Sequence, residues 1–260
     1  MNLISLYSRR MIKNLGNPRT AITMAILIAI VVIASLTITF APLTPPTEES
    51  LMRLARSLNL PNNQISIAIA FYAVEFPLFL ALFSSVLVSL IPQRVISFER
   101  SSGNMELLLS RYGNIREIVL ALMVASLLSA AVVYFIFTGV GFITILAFEA
   151  IYSQSISFPS SFYLFIFGLD PTITILAVSI SLLLTVSFPS FSSMEVYALT
   201  SSPLQIVSYA PALIIILAVT ILPITPKSLE LYALPITVVL VLMSLVVARK
   251  TMKRDMLVRK

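Results

Sequence analysis

Residues 118–148 read IVLALMVASLLSAAVVYFIFTGVGFITILAF, without a charge from Ile118 to Phe148. At a rise of 1.5 Å per residue, about 20 such residues cross a hydrocarbon core of roughly 30 Å. Inside that core no water satisfies the backbone, so a helix, which pairs its own N–H and C=O groups, is the natural form for the stretch. The run exceeds one straight crossing. A helix that tilts or continues into an outer loop is therefore expected, with the crossing at about 116–141 and Gly139 and Gly141 as places to bend.

The same reading extends in both directions. Ala21 to Ala41 is uncharged and ends at Pro42, Pro45 and Pro46, giving a span at about 20–41. Ile65 to Ile91 carries one acid, Glu75, two residues before Pro77, and Pro92 closes that span. Asp170-Pro171 has the form of a helix start, with Asp as N-cap and Pro at the first helical position. It opens a span at about 170–188, stopped by Pro189. Two more runs lie at about 203–223, with Pro211 inside, and 229–248. Thr47 to Asn63 is polar and suits a short helix outside the membrane. Ala150 to Leu169, uncharged but rich in Ser, Phe and Tyr, reads as an outer loop or a re-entrant helix. The expected fold is an all-α membrane protein of six transmembrane helices in a single domain, 1–260.

Composition agrees. Of 260 residues 58% are hydrophobic and 11% charged, against about 45–50% and 25% in a soluble domain. Cys and His are absent. That excludes disulfides, thiolate metal sites and the usual histidine base. The net charge of +6 belongs to membrane flanks rather than to nucleic acid. Four Lys or Arg precede the first span, four lie between the second and third (Arg94, Arg100, Arg111, Arg116) and six lie in the tail 249–260. Three (Arg53, Arg56, Lys227) fall on the other side. Fourteen against three places both termini in the cytoplasm of a multi-pass cell-membrane protein. The basic residues that precede the first apolar run, without a small-residue cleavage site, argue against a cleaved signal peptide.

At the start, Leu3, Ile4, Tyr7, Met11 and Leu15 recur at helical spacing while Arg9, Arg10 and Lys13 lie largely off that stripe. Residues 1–17 are expected as an amphipathic helix in the membrane interface, ended by Asn17-Pro18. The segment 93–113 also has a stripe (Val95, Phe98, Ser102, Met105, Leu109, Tyr112), with Arg94, Arg100, Ser101 and Asn104 directed elsewhere. Periodicity alone is satisfied by a plain interfacial helix.

The passage from Glu99 to Ile118 resembles the cytoplasmic segment of type-2 ABC-transporter permeases, which runs Glu-Arg/Lys-x-x-Gly-Thr-x-Glu-x-Leu-Leu and then Arg-x-Glu-Ile. Glu99, Arg100, Gly103, Glu106, Leu107, Leu108, Arg116, Glu117 and Ile118 match in type and order. Asn104 stands for the common Thr, Arg111-Tyr112-Gly113 for a Ser/Thr-Pro, and Ala121-Leu122 for a Gly-Lys pair, so the resemblance is to a divergent member. It implies a coupling helix that seats on a separate ABC ATPase subunit, anchored by Phe98 and Met105, with Glu99, Arg100 and Glu106 available for charge pairing. It also implies a dimer, with a second copy or a similar permease, that exports a substrate. No phosphate-binding loop Gly-x-x-x-x-Gly-Lys-Ser/Thr occurs, so ATP would be bound by the partner, and this chain is expected to be a transporter subunit without a cofactor.

Glu75 is the intramembrane candidate, because an acid in mid-helix costs about 2.5–3.5 kcal/mol on insertion scales. It suits a translocation path or the outer interface. The rival classes are a proton- or ion-coupled carrier or small channel using Glu75, and a non-transporting anchor subunit. Asp170 reads as a cap and Glu149 as the outer edge of the third span. A serine triad lacks its histidine, and no lysine lies in a span to form a dyad.

Overall fold

The computed structural model describes residues 3–18, 21–22, 24–26, 29–30, 33, 49, 52–53, 55–56, 61, 64–112, 114–152, 156–158, 160–188, 203–221 and 226–251. Most of the first apolar run, the 190–202 link and the tail beyond Thr251 lie outside the described residues. Those described between 21 and 33 are helical. In the polar segment, Arg53 donates to Glu49 at 2.6 Å one turn away.

The elements are α1 (Leu3–Leu15), α2 (Gln64–Ser101), α3 (Asn104–Tyr112), α4 (Ile115–Tyr152), α5 (Ser160–Leu164), a π turn (Phe165–Leu169), α6 (Asp170–Ser187), α7 (Pro203–Ile221) and α8 (Pro226–Thr251). The described chain is helical, and three helices are long and apolar enough to cross a membrane: Ile65–Ser101, Arg116–Ile151 and Phe162–Ser187. Shorter apolar helices cover Ile206–Leu217 and Ala233–Val247. Phe135, Ile143, Leu146 and Ile151 on α4 are each more than 60% exposed, a surface that a bilayer covers far better than water does.

Contacts fix the directions of the helices. Ser84 and Thr174 share a hydrogen bond of 2.8 Å, Ser181 donates to the Ser89 carbonyl at 2.6 Å, and Arg100 reaches the carbonyls of Thr185 and Val186. The numbers rise together, so α2 and α6 run parallel. Tyr72 donates to the Gly141 carbonyl at 3.1 Å near the far end of α4, and α2 and α4 are antiparallel. On α8, Leu234 lies against Gly168 and Thr237 bonds Thr172 at 3.0 Å, so α8 runs parallel to α6. The C-termini of α2, α6 and α8 therefore point to one end of the bundle, where α4 begins. Small residues make the α2–α6 seam, since Ala81, Ser84, Ser85 and Ser89 are all buried. Close backbone approach through small side chains is how helices associate where lipid removes the hydrophobic drive.

Four sequence expectations change. Pro92 does not close the second helix. The helix continues to Ser101, and the Ser181 hydroxyl supplies a donor in the turn that the proline distorts. Gly139 and Gly141 do not interrupt α4, which is helical from Ile115 to Tyr152. Gly141 instead admits a neighbour, because a Cβ there would overlap the Phe76 ring. The described residues of the stretch 150–169 mostly belong to the helices on either side of it. Its first residues end α4, and helix resumes at Ser160. The connection stays at the end where Phe158 stacks on Phe162 and Glu149 accepts the Ile156 N–H at 2.8 Å.

The fourth change concerns Asp170, which is not an N-cap. Leu169 before it is already helical, at φ −74° and ψ −49°, and helix runs through from Ser160 to Ser187. A widened π turn absorbs Pro171. The proline offers no N–H and its ring crowds the carbonyl behind it, so the chain takes the longer closure Asp170 N–H to Phe165 O. The Tyr134 hydroxyl of α4 donates to the Ile166 carbonyl.

Candidate functional site

The segment matched by the permease pattern forms an elbow. α2 ends when Gly103 turns into the left-handed region at φ +72°, a conformation that costs a non-glycine residue about 1–2 kcal/mol. The Ser102 N–H closes on the Phe98 carbonyl at 3.0 Å and the Gly103 N–H on that of Arg100 at 3.1 Å. α3 starts immediately after. Asn114 then opens α4 as a cap: its Oδ1 accepts the Arg116 N–H at 3.1 Å, and its side-chain amide donates to Glu117 Oε1 at 3.1 Å, a side-chain pair across the first turn.

The six residues assigned to motor contact divide into two sets. Phe98 is 59% exposed, Glu106 is exposed, and Gly103 lies half-buried at the turn. Glu99, Arg100 and Met105 point inward and are buried within this chain. Glu99 is 1% exposed and pairs with Arg10 of α1. Arg100 is 6% exposed and donates to the Thr185 carbonyl at 2.8 Å and that of Val186 at 3.2 Å. Those carbonyls lie in the last turn of α6, where helical donors have run out and a cation is favoured. Met105 is buried, with its sulfur 4.0 Å from the Tyr7 hydroxyl. Burial, opposed in part by the Arg10 cation, pushes the Tyr7 phenol up to about 12, so it stays a neutral donor. Leu107, absent from the assigned set, is 66% exposed beside Glu106.

α1 was expected to rest its apolar face in the bilayer edge. That face is instead covered by protein. Tyr7 and Met11 are fully buried, and the Met11 sulfur takes the hydroxyls of Ser126 at 3.7 Å and Ser129 at 4.0 Å on α4. α1, the end of α2 and α3 thus make one charged, hydrogen-bonded unit around the elbow. Ser101, Ser102, Glu106, Leu107, Ser110 and Arg111 face outward. Sequence reading singled out 93–113 but took it as one continuous helix; it missed the turn at Gly103 that divides it, and Arg10 and Tyr7 as its supports. Their signal was the off-stripe basic residue and the one phenol on an otherwise aliphatic stripe.

Glu75 is half-buried on α2, with no side-chain hydrogen bond or ion pair among the described residues. It does not join the elbow. A second polar cluster was missed altogether: Asp170, Tyr134 and Thr138 are buried together beside the π turn. Among the described residues no group of three or more Asp or Glu gathers as a metal site.

No protein-family model, curated protein or solved structure matches the chain.

Proposed function

We propose that the chain is the membrane-spanning permease subunit of an ABC exporter. In this reading six helices span the membrane, both termini are cytoplasmic, and a separate ATPase docks on the outward face of the elbow. Two permease copies, or this chain and a similar one, enclose the substrate path. The observation that carries the reading is the wiring of the elbow. Its outer face offers Phe98, Leu107 and Glu106, while Glu99 and Arg100 behind that face are tied to α1 and α6. A push on such a surface reaches a membrane helix through buried polar contacts rather than through a loose loop. Positioning the C-termini of α2, α6 and α8 at the elbow's end supports the placement of the basic tail on the same side.

Exposed single ion pairs contribute about 0–1 kcal/mol, so Phe98 and Leu107 are expected to dominate docking affinity, with Glu106 setting register. The test is affinity purification of the tagged full chain from native membranes in mild detergent, for wild type and for Glu106→Lys combined with Leu107→Ala. A stoichiometric ATPase held by the wild type and lost from the double variant, with unchanged thermal unfolding, supports the reading. Proton-driven flux by the purified chain alone would overturn it in favour of a carrier.

A further inference from the structure

One strip of α2 is neither sealed by its neighbours nor fully open. Phe71, Glu75, Phe79, Leu82, Val86 and Leu90 are all half-buried, and their spacing of three or four residues puts them on a single helix face. Leu82 packs against both apolar clusters, the larger reaching α4 and the smaller reaching α7, so the strip follows the seam between them. Of the acids on the long apolar helices, Asp170 is 0% exposed and Glu99 is held by Arg10. Glu149 accepts the Ile156 N–H, and Glu117 takes the Asn114 amide. Glu75 is half-buried, and among the described residues no hydrogen bond or ion pair falls on its carboxylate.

What flanks that carboxylate decides what it can hold. Phe71 lies one turn before it and Phe79 one turn after. The Phe79 ring stacks on the buried Phe83 ring at 5.4 Å, which fixes its plane. The hydroxyl closest in sequence, that of Tyr72, is already donated to the Gly141 carbonyl. A small inorganic cation needs several oxygens to replace its hydration shell, and this strip offers only those of one carboxylate. An organic cation brings its own apolar coat, is weakly hydrated, and is attracted by ring faces as well as by the acid. Leu82, Val86 and Leu90 continue the strip as apolar surface for that coat, in keeping with sites that are mostly apolar around a few polar groups.

We propose that the Glu75 strip binds lipophilic organic monocations, with the carboxylate taking the charge between the Phe71 and Phe79 rings. One positive charge neutralises the one acid, and uncompensated charge of either sign is costly inside a membrane. As a statement about exported cargo the proposal rests on the exporter reading. As a binding site it stands whether or not an ATPase docks at the elbow.

Tetraphenylphosphonium is the probe, and tetraphenylborate, alike in size and shape but negative, is the control. Equilibrium dialysis against the purified full chain in lipid nanodiscs, with empty nanodiscs subtracted, measures binding to the protein itself. The phosphonium is expected to bind saturably. Glu75→Gln, which keeps the size of the side chain, should weaken it by about tenfold or more, and Phe79→Leu by about threefold. Equal phosphonium affinity in wild type and Glu75→Gln overturns the site and leaves the carboxyl to a proton. Should Glu75→Gln fail to fold, an unaltered affinity in Phe79→Leu overturns it instead. Borate bound as tightly as phosphonium shows apolar surface without charge selection and overturns it as well. None of these results touches docking at the elbow, which the affinity purification decides. A chain that holds no ATPase but binds the phosphonium through Glu75 keeps the site and loses the exporter.

Discussion

At the end of the bundle where α2 finishes, the helices are joined by charge and hydrogen bonds: Arg10 to Glu99, Arg100 to the last carbonyls of α6, and the Tyr7 hydroxyl of α1 to the Met105 sulfur of α3. At the opposite end they are joined by rings. Tyr72 meets Phe148 edge-on at 5.8 Å, Phe76 meets Phe142 edge-on at 6.5 Å, and Phe142 stacks on Phe167 of the π turn at 6.0 Å. Each directional contact at the charged end fixes one residue to one partner, and loses most of its value if either is changed. The aromatic end distributes its contacts over many atoms and depends on shape, above all on the absence of a side chain at Gly141. The two ends should therefore fail differently when substituted.

The largest effect is expected at the charged end. Arg100→Ala strips two buried carbonyls of their donor. At about 1–3 kcal/mol for each buried group left unsatisfied, the loss should be on the order of 3 kcal/mol in equilibrium unfolding in detergent. Arg100→Lys retains the charge but not the fork that reaches two carbonyls at once, and should recover only part of the loss. A change below about 0.5 kcal/mol for Arg100→Ala would show that α6 is held by its seam with α2 alone, and the wiring argument for the elbow would lose its main member.

A second substitution tests the aromatic end. Gly141→Ala drives a methyl group into the Phe76 ring, and overpacking of this kind costs about 1–3 kcal/mol. In a Phe76→Leu background the ring is gone, and the penalty of the added methyl should fall below about 0.5 kcal/mol. The signature of shape as the cause is that non-additivity, measured as a double-mutant cycle on unfolding free energies. Additive losses would mean instead that Gly141 acts through its own backbone, for example through the carbonyl that accepts from Tyr72.

The contrast also explains what could be read from sequence. The apolar runs announced the long helices because burial in lipid needs only length and lack of charge. The turn at Gly103, which divides the stripe expected over 93–113, and the cap at Asn114 went unread, although each rests on residues within three or four positions of each other. The burial of Glu99, Arg100 and Met105 within the chain was not legible, because periodicity yields a face but not the neighbour that covers it. Arg10 lies 89 residues from Glu99 in the chain. Asp170-Pro171 misled for a related reason. As a dipeptide it has the chemistry of a helix start, yet Tyr134 from another helix satisfies the carbonyl that the proline frees, and the helix continues. Thr138 and Tyr134, in the middle of the uncharged stretch, carried no signal until α6 was packed against them.

The smallest effect should come from the most local feature. Asn114→Ala removes the cap of α4 and is expected to cost about 1 kcal/mol, while Asn114→Asp, which keeps an acceptor for the Arg116 N–H, should cost a few tenths. Amide exchange should quicken at Arg116 and Glu117 and stay unchanged near Gly141. A signal written within four consecutive residues acts on one turn of helix, and the rest of α4 remains held by α1 and α2. If Asn114→Ala instead destabilised the protein as much as Arg100→Ala does, the cap would be coupled to the whole elbow. The division between local contacts and the distant ones that carry the fold would then not hold at this end of the molecule.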